Sequence, residues 1–251
     1  MEFLYSIVRK SVIALMLIGL AYTGNVAAQD NINVLIVTGG HDFNRTAFFE
    51  MFHDMDGITF HESQHPKAND MYGSPMADLY DVFVFYDMYD QISDSQKEDL
   101  VTLLEEGKGM VFLHHSLVSY QDWDEFADII GGKYHRSEEV FRGEPVDASS
   151  FKHDVEVQVE IADKQHPVTR GLSSFTMTDE VYGGFSVMPD VHPLLKTDHP
   201  ASTETIAWTH HYENSRIIYI QPGHDEKAFE NTHYRNLVRN AIKYTAESPL
   251  K

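Results

Sequence analysis

The residues of this sequence with the means to do chemistry are histidines and carboxylates, and they recur where apolar runs stop. His41 follows Thr38-Gly39-Gly40, His114 and His115 follow the run 110–113, and His224 follows 216–221 and Pro222-Gly223. Glu180, with Tyr182 two residues on, follows the strand-like stretch 175–178. Neutral imidazole and ionised carboxylate are ligands for a divalent metal, zinc first among them. The same groups can move protons on a sugar, with histidine titrating near neutrality and a buried glutamate tuned upward. His41, His114 and His224 are therefore the candidate metal ligands. Glu180, His114 and Tyr182 are the candidate catalytic groups, Tyr182 orienting a substrate hydroxyl. Asp42, Asp87, His115, His135, His210 and Asp225 are candidates for substrate binding. No local spacing such as H-x-x-x-H is present, so distant segments would have to assemble any metal site.

Other chemistries are excluded. The sequence holds 15 histidines and no cysteine, which removes a thiolate nucleophile, a disulfide framework, an iron–sulfur cluster and a lipoprotein anchor. Ser116 lies in His114-His115-Ser116-Leu117-Val118, without the glycines of a G-x-S-x-G elbow, and is a poor nucleophile. No nucleotide cofactor is expected.

The elements that must position these groups are legible from hydrophobic pattern. Residues 32–37, 81–86 and 110–113 are continuous apolar runs, as buried parallel strands are. A helix should start near Asn44 with Phe48, Phe49 and Phe52 on one face, and 58–61 reads as a short strand. Residues 62–78, with Pro66, Gly73 and Pro75, read as loop. Ser93 and Gln96 form a capping box for a helix carrying Leu100, Leu103 and Leu104, with Gly107 as its C-cap. This βαβα order predicts an α/β fold with a doubly wound, mostly parallel, flavodoxin-like sheet, whose sites lie beyond the carboxyl ends of the strands. Residues 155–161 alternate strictly, which predicts an antiparallel strand with one wet face. Further strands are expected at 191–196, 205–209 and 216–221. A closing helix should carry Leu237, Val238, Ala241 and Ile242. Trp123 and Trp208 are core aromatics, with stacking on a sugar as the alternative.

The N-terminus carries Arg9 and Lys10, an apolar run over 12–22, and Val26-Ala27-Ala28. That is the pattern of a secretory signal peptide over 1–28, cleaved after Ala28. Residues 29–251 are then one domain, exported to the periplasm or beyond, soluble and without a lipid anchor. Residues 1–28 hold Arg9, Lys10 and Glu2, so the formal charge of −20 becomes −21 in the remaining 223 residues. Such acidity disfavours nucleic acid as a partner.

The punctuated strand ends together resemble the ThuA-like (trehalose utilisation) family. The resemblance is carried by Thr38-Gly39-Gly40-His41, Gly109-Met110-Val111-Phe112-Leu113-His114 and Ile130-Gly131-Gly132-Lys133-Tyr134-His135. It continues through His166-Pro167-Val168-Thr169-Arg170-Gly171-Leu172, Asp179-Glu180-Val181-Tyr182, Ala207-Trp208-Thr209-His210 and Gly223-His224-Asp225. It implies a class I glutamine-amidotransferase-like fold and a link to disaccharides and their keto derivatives. In true amidotransferases of that fold a cysteine sits on the turn that His114-His115 occupies here, so glutamine hydrolysis is excluded. The expected function is an exported lyase, isomerase or hydrolase acting on a small-molecule saccharide or keto-saccharide, by His/Glu acid–base chemistry with metal assistance. The alternatives are a non-catalytic carbohydrate-binding protein and a metal-dependent amide or ester hydrolase.

Overall fold

The structure, a computed structural model, describes residues 31–247, so the signal-peptide expectation lies outside the described residues. In chain order the first half contains β1 (Ile32–Gly39), α1 (Arg45–His53), β2 (Ile58–Gln64), β3 (Val82–Asp87), α2 (Asp94–Glu105), β4 (Gly109–Leu113) and α3 (Asp124–Ile130). Three short strands follow, β5 (Gly132–Lys133), β6 (Glu139–Phe141) and β7 (Glu144–Val146). The second half holds β8 (Ser150–Ile161), β9 (Phe175–Gly183), β10 (Ser186–Val187), β11 (His192–Lys196), β12 (Thr205–Tyr212) and β13 (Ser215–Ile220). The helices α4 (Glu226–Phe229) and α5 (Thr232–Thr245) close it.

Nine strands make one sheet in the order β2-β1-β3-β4-β13-β12-β11-β8-β9. The first five run parallel and the last four join them antiparallel in succession. The fold is thus mixed α/β on a large sheet. Because apolar residues fill both faces of β1, β3 and β4, helices cover both. Val34, Ile36, Val82 and Val84 pack with Phe48 and Phe52 of α1 and with Leu237 and Val238 of α5. Leu35, Val37, Phe83 and Phe85 pack with Leu100, Leu103 and Leu104 of α2 and with Phe126 and Ile129 of α3. In β8 the alternation is as read: Val155, Val157, Val159 and Ile161 are buried and the residues between them exposed.

Local chemistry sets the element ends. Asn44 caps α1 by accepting from the N–H of Ala47, and Ser93 with Gln96 forms the reciprocal capping box of α2. Gly107 lies just past that helix in the left-handed region, at φ +84°. Two expectations are corrected. The stretch 62–78 is not all loop: β2 runs on to Gln64, and 3-10 turns cover Lys67–Met71 and Pro75–Leu79. Glu180 does not follow a strand but lies within β9, which continues to Gly183.

Candidate metal centre

Parallel pairing of β1, β3, β4 and β13 brings their carboxyl ends to one edge, and β9 delivers Glu180 to the same place. His114 is the hub. It leaves β4 on a left-handed backbone, φ +44°, a conformation that costs a non-glycine residue energy. It opens a 3-10 turn over His114–Val118. Its carbonyl accepts from the Tyr219 hydroxyl at 3.1 Å. The ring Nδ1 lies against the Gln221 carbonyl, which can only accept, so Nδ1 carries the proton. That leaves Nε2 as the ligand atom, fixed by a backbone partner in the way metal-bound imidazoles are.

Three donor atoms converge on one point. His114 Nε2 is 2.8 Å from Glu180 Oε2 and 3.3 Å from His224 Nδ1, and His224 Nδ1 is 3.0 Å from Glu180 Oε2. Metal–ligand bonds of about 2.0–2.1 Å in a tetrahedral site separate ligand atoms by roughly 3.3 Å, close to this triangle. His115 supplies a fourth donor: one ligand atom from each of His114, His115, Glu180 and His224 fits within 4.8 Å of every other. His115 Nδ1 is buried with no hydrogen-bond partner. The residues can therefore hold a metal ion.

The electrostatics agree with that donor set. Burial would raise the Glu180 carboxyl, but the His114 and His224 imidazoles beside it overcome that and hold the group well below the usual carboxylate range. The expectation of an upward-tuned glutamate is thus corrected: Glu180 is an anion. The hydrogen bond to Glu180 raises His224. Burial pushes His115 far down, helped by the neighbouring histidines, so it is neutral. Burial also keeps the Tyr182 hydroxyl well above its ordinary value, so it stays protonated, 3.0 Å from His114 Nε2. Asp179 clamps two of the segments together: its carboxylate accepts from the backbone N–H groups of Glu180 (2.9 Å), Gly223 (2.7 Å) and His224 (3.0 Å). The Gln221 side chain donates to the Glu180 carbonyl at 2.9 Å.

A cleft of about 360 Å³ opens onto the cluster, walled by Met88, Tyr134, Arg136, Phe151, His153 and Tyr182. His153 faces the outer carboxylate oxygen, 3.2 Å from Glu180 Oε1, and is half exposed.

The sequence-derived residues divide by position. His114, His224, Glu180, Tyr182 and His115 come together. Both adjacent histidines reach the cleft because the chain turns at His114; extended backbone would have sent them to opposite faces. His41 stands outside the donor group, stacked on His115 with ring centroids 4.0 Å apart. Asp42 is exposed beside it. Asp87 is not in the cleft: Tyr86 faces the cluster, so the next residue faces the other side, where Asp87 pairs with His65 at 3.0 Å. His210 is at the opposite edge of the sheet, since β12 runs antiparallel and pairs it with Ile217, level with Met110; its Nε2 bonds the Ile129 carbonyl. His135 is buried between Glu139 and Ser186. Asp225 caps α4. Ser116 is buried and donates to the carbonyls of Phe85 and Leu113. Trp208 is fully buried, as a core residue should be.

Sequence reasoning passed over Asp179 as a clamp and His153 as a cleft residue. Asp179 stood in view beside Glu180, but its three backbone donors come partly from 44 positions away. His153 sits at a register irregularity of β8 between Lys152 and Val155, with Asp154 left-handed at φ +53°, and such bulges re-aim side chains.

The sequence model of the ThuA family, described as trehalose utilisation, matches residues 33–245, and the chain belongs to that family. No curated protein matches it. Among solved structures it is similar to a ThuA-like protein from Parabacteroides merdae. That match has 18% identity and a TM-score of 0.69, covering 86% of this chain and 90% of the other. A ThuA-like protein from Bacteroides uniformis has 21% identity and a TM-score of 0.65, over 89% and 95% of the two chains. A β-galactosidase from Bacillus circulans is also similar, at 11% identity and TM-score 0.57, over 87% of this chain but 32% of its own. These likenesses show a shared fold.

Proposed function

We propose that this protein is an exported, metal-assisted enzyme acting on a saccharide or keto-saccharide at the His114–Glu180–His224 centre, on a flavodoxin-like, amidotransferase-related domain spanning 29–251. The observation that carries the reading is the convergence of three donor atoms from three separate segments of the chain, with the tautomer of His114 set by a backbone carbonyl. Family membership supports a carbohydrate role, and the solved β-galactosidase of similar fold agrees with it. The donor set suits zinc, which when bound would polarise a substrate carbonyl or hydroxyl oxygen. Glu180 contributes anionic charge to the site, its second oxygen facing His153. That oxygen and His153 stand where a proton could pass between substrate and solvent. Tyr182, protonated and buried, is placed to donate to a substrate oxygen. Tyr134, Met88 and Phe151 offer the apolar faces that a sugar ring covers.

The test is a panel of disaccharides and their 3-keto forms incubated with zinc-loaded protein and followed by mass spectrometry. A product that disappears on chelation and in Glu180→Gln is expected. Turnover unaffected by either would remove the centre from the chemistry. The aromatic lining also suits plain carbohydrate binding; saccharide bound at full strength with no product, metal or not, would establish that reading instead.

The export proposal is checked by N-terminal sequencing of the protein from its native cells, with Gln29 as the expected first residue and an intact Met1 as the contrary result.

A further inference from the structure

A second group of side chains, apart from the histidine centre, has the order and spacing of an acyl-transfer relay. Tyr134 and Arg136 line the cleft, while His135 between them is fully buried and bonded elsewhere. Its Nδ1 is 2.7 Å from Glu139 Oε1 and its Nε2 is 2.7 Å from Ser186 Oγ. Hydroxyl, imidazole and carboxylate thus stand in sequence within hydrogen-bond reach. That geometry, and not sequence position, is how nucleophile–base–carboxylate relays are recognised on unrelated folds.

Each member is set for its part. Burial would raise the Glu139 carboxyl, but the His135 imidazole and the Lys133 ammonium beside it overcome that and hold it below the usual range. A carboxylate only accepts, so Nδ1 carries the proton, and Nε2 of the neutral ring offers its lone pair to the Ser186 hydroxyl. The base is fixed through its own backbone as well. His135 N–H donates to Ser149 Oγ at 2.9 Å, and its carbonyl accepts from the Ser149 N–H at 2.8 Å. Ser186 is partly exposed, and among the described residues its Oγ bonds to His135 alone, so the oxygen is open to a ligand. Lys133 pairs opposite Ser186 across β5 and β10, and its Nζ is 3.2 Å from Glu139 Oε2. It brings positive charge to the ribbon on which an attacked acyl oxygen becomes negative. Phe141 packs against the His135 ring, centroids 5.2 Å apart, so a ligand meets the relay from the Ser186 side.

We propose that Ser186, His135 and Glu139 form a second catalytic site, one that hydrolyses carboxylic esters without a metal. Ser186 Oγ bonds to the acyl carbon as its proton passes to His135 Nε2. The bond from that carbon to the alkoxy oxygen then breaks, and His135 returns the proton to the leaving alcohol. Water attacks the acyl-serine with its proton taken by the same nitrogen, which reprotonates Ser186 Oγ as the carboxylic acid departs. Glu139 acts only by holding the ring and its tautomer. Neither the histidine centre nor the carbohydrate reading is needed for this chemistry.

The test keeps the protein in chelator and applies a fluorophosphonate probe and, separately, p-nitrophenyl acetate. The probe should label Ser186, located by peptide mass spectrometry, and should not label heat-unfolded protein. Nitrophenol release should proceed in chelator and fall to background in Ser186→Ala, which removes one partly exposed oxygen and leaves the fold intact. Glu139→Gln should lower kcat for that release about tenfold or more and slow the labelling alongside, since the ring loses its anionic partner. Folded wild type with no label on Ser186, or release equal in wild type and Ser186→Ala, overturns the site. Release that requires zinc belongs to the histidine centre and overturns it too. Labelling and release both unchanged in Glu139→Gln overturn the relay.

Discussion

At the residue scale, His114 has each ring nitrogen committed to a different task, one to a carbonyl and one to the cluster. His114→Ala should therefore abolish stoichiometric zinc binding, measured by elemental analysis after dialysis, while His41→Ala retains it. The carboxylate of Asp179 acts on the site only through the backbone it holds. Asp179→Asn should fold and lower zinc affinity about 10–100-fold, the usual cost of losing an outer-shell partner; competition with a chromogenic chelator measures this, and an unchanged affinity would make Asp179 purely structural. His210 belongs to stability instead. Burial lowers its pKa, so its folded value lies below the unfolded value near 6.5. The unfolded chain then binds more protons, and the stability present above about pH 6.5 is lost as pH falls from there through the lower folded value. His210→Gln should flatten the fall of the urea midpoint between pH 7.5 and 5.5.

At the element scale, the site depends on turns more than on strands. Gly223 sits at φ +127°, and a Cβ there would lie 2.2 Å from the Tyr234 hydroxyl. Gly223→Ala should cost about 1–3 kcal/mol in denaturant melts and shift His224 enough to weaken zinc binding alongside. The strands themselves were readable: β1, β3 and β4 from unbroken apolar runs, β8 from its alternation, α2 from its capping box. Direction and local geometry were not. Nothing in Thr209-His210 says that β12 runs antiparallel, which is why His210 ends far from the cluster. Nor does His114-His115 announce a left-handed turn, and on extended backbone only one of the two would have faced the cleft. Asp87 was misplaced for a simpler reason, since a single step along β3 changes faces. Tertiary pairing decides each of these, and a lone sequence carries no record of pairing.

At the scale of the whole molecule, the histidine centre ties β4, β9 and the end of β13 across the middle and far end of the sheet. Among the described residues no helix is long and apolar enough to cross a membrane. An ion bound only by the folded state stabilises it by about 2.7 kcal/mol at a hundredfold excess over Kd. For a chain of this size that corresponds to a Tm rise of roughly 5–10 °C. Scanning calorimetry with zinc and with chelator should show that difference in wild type and lose it in Glu180→Gln.

The candidate ligands His114, Glu180 and His224 are spread over 110 positions of sequence. No short stretch of the chain can grip an ion before the sheet has formed, so loading follows folding. Under the export proposed above, the chain would cross the membrane unfolded and carry no metal with it. The identity of any ion held at this centre would then be decided by which metals are on hand in the compartment where the sheet closes.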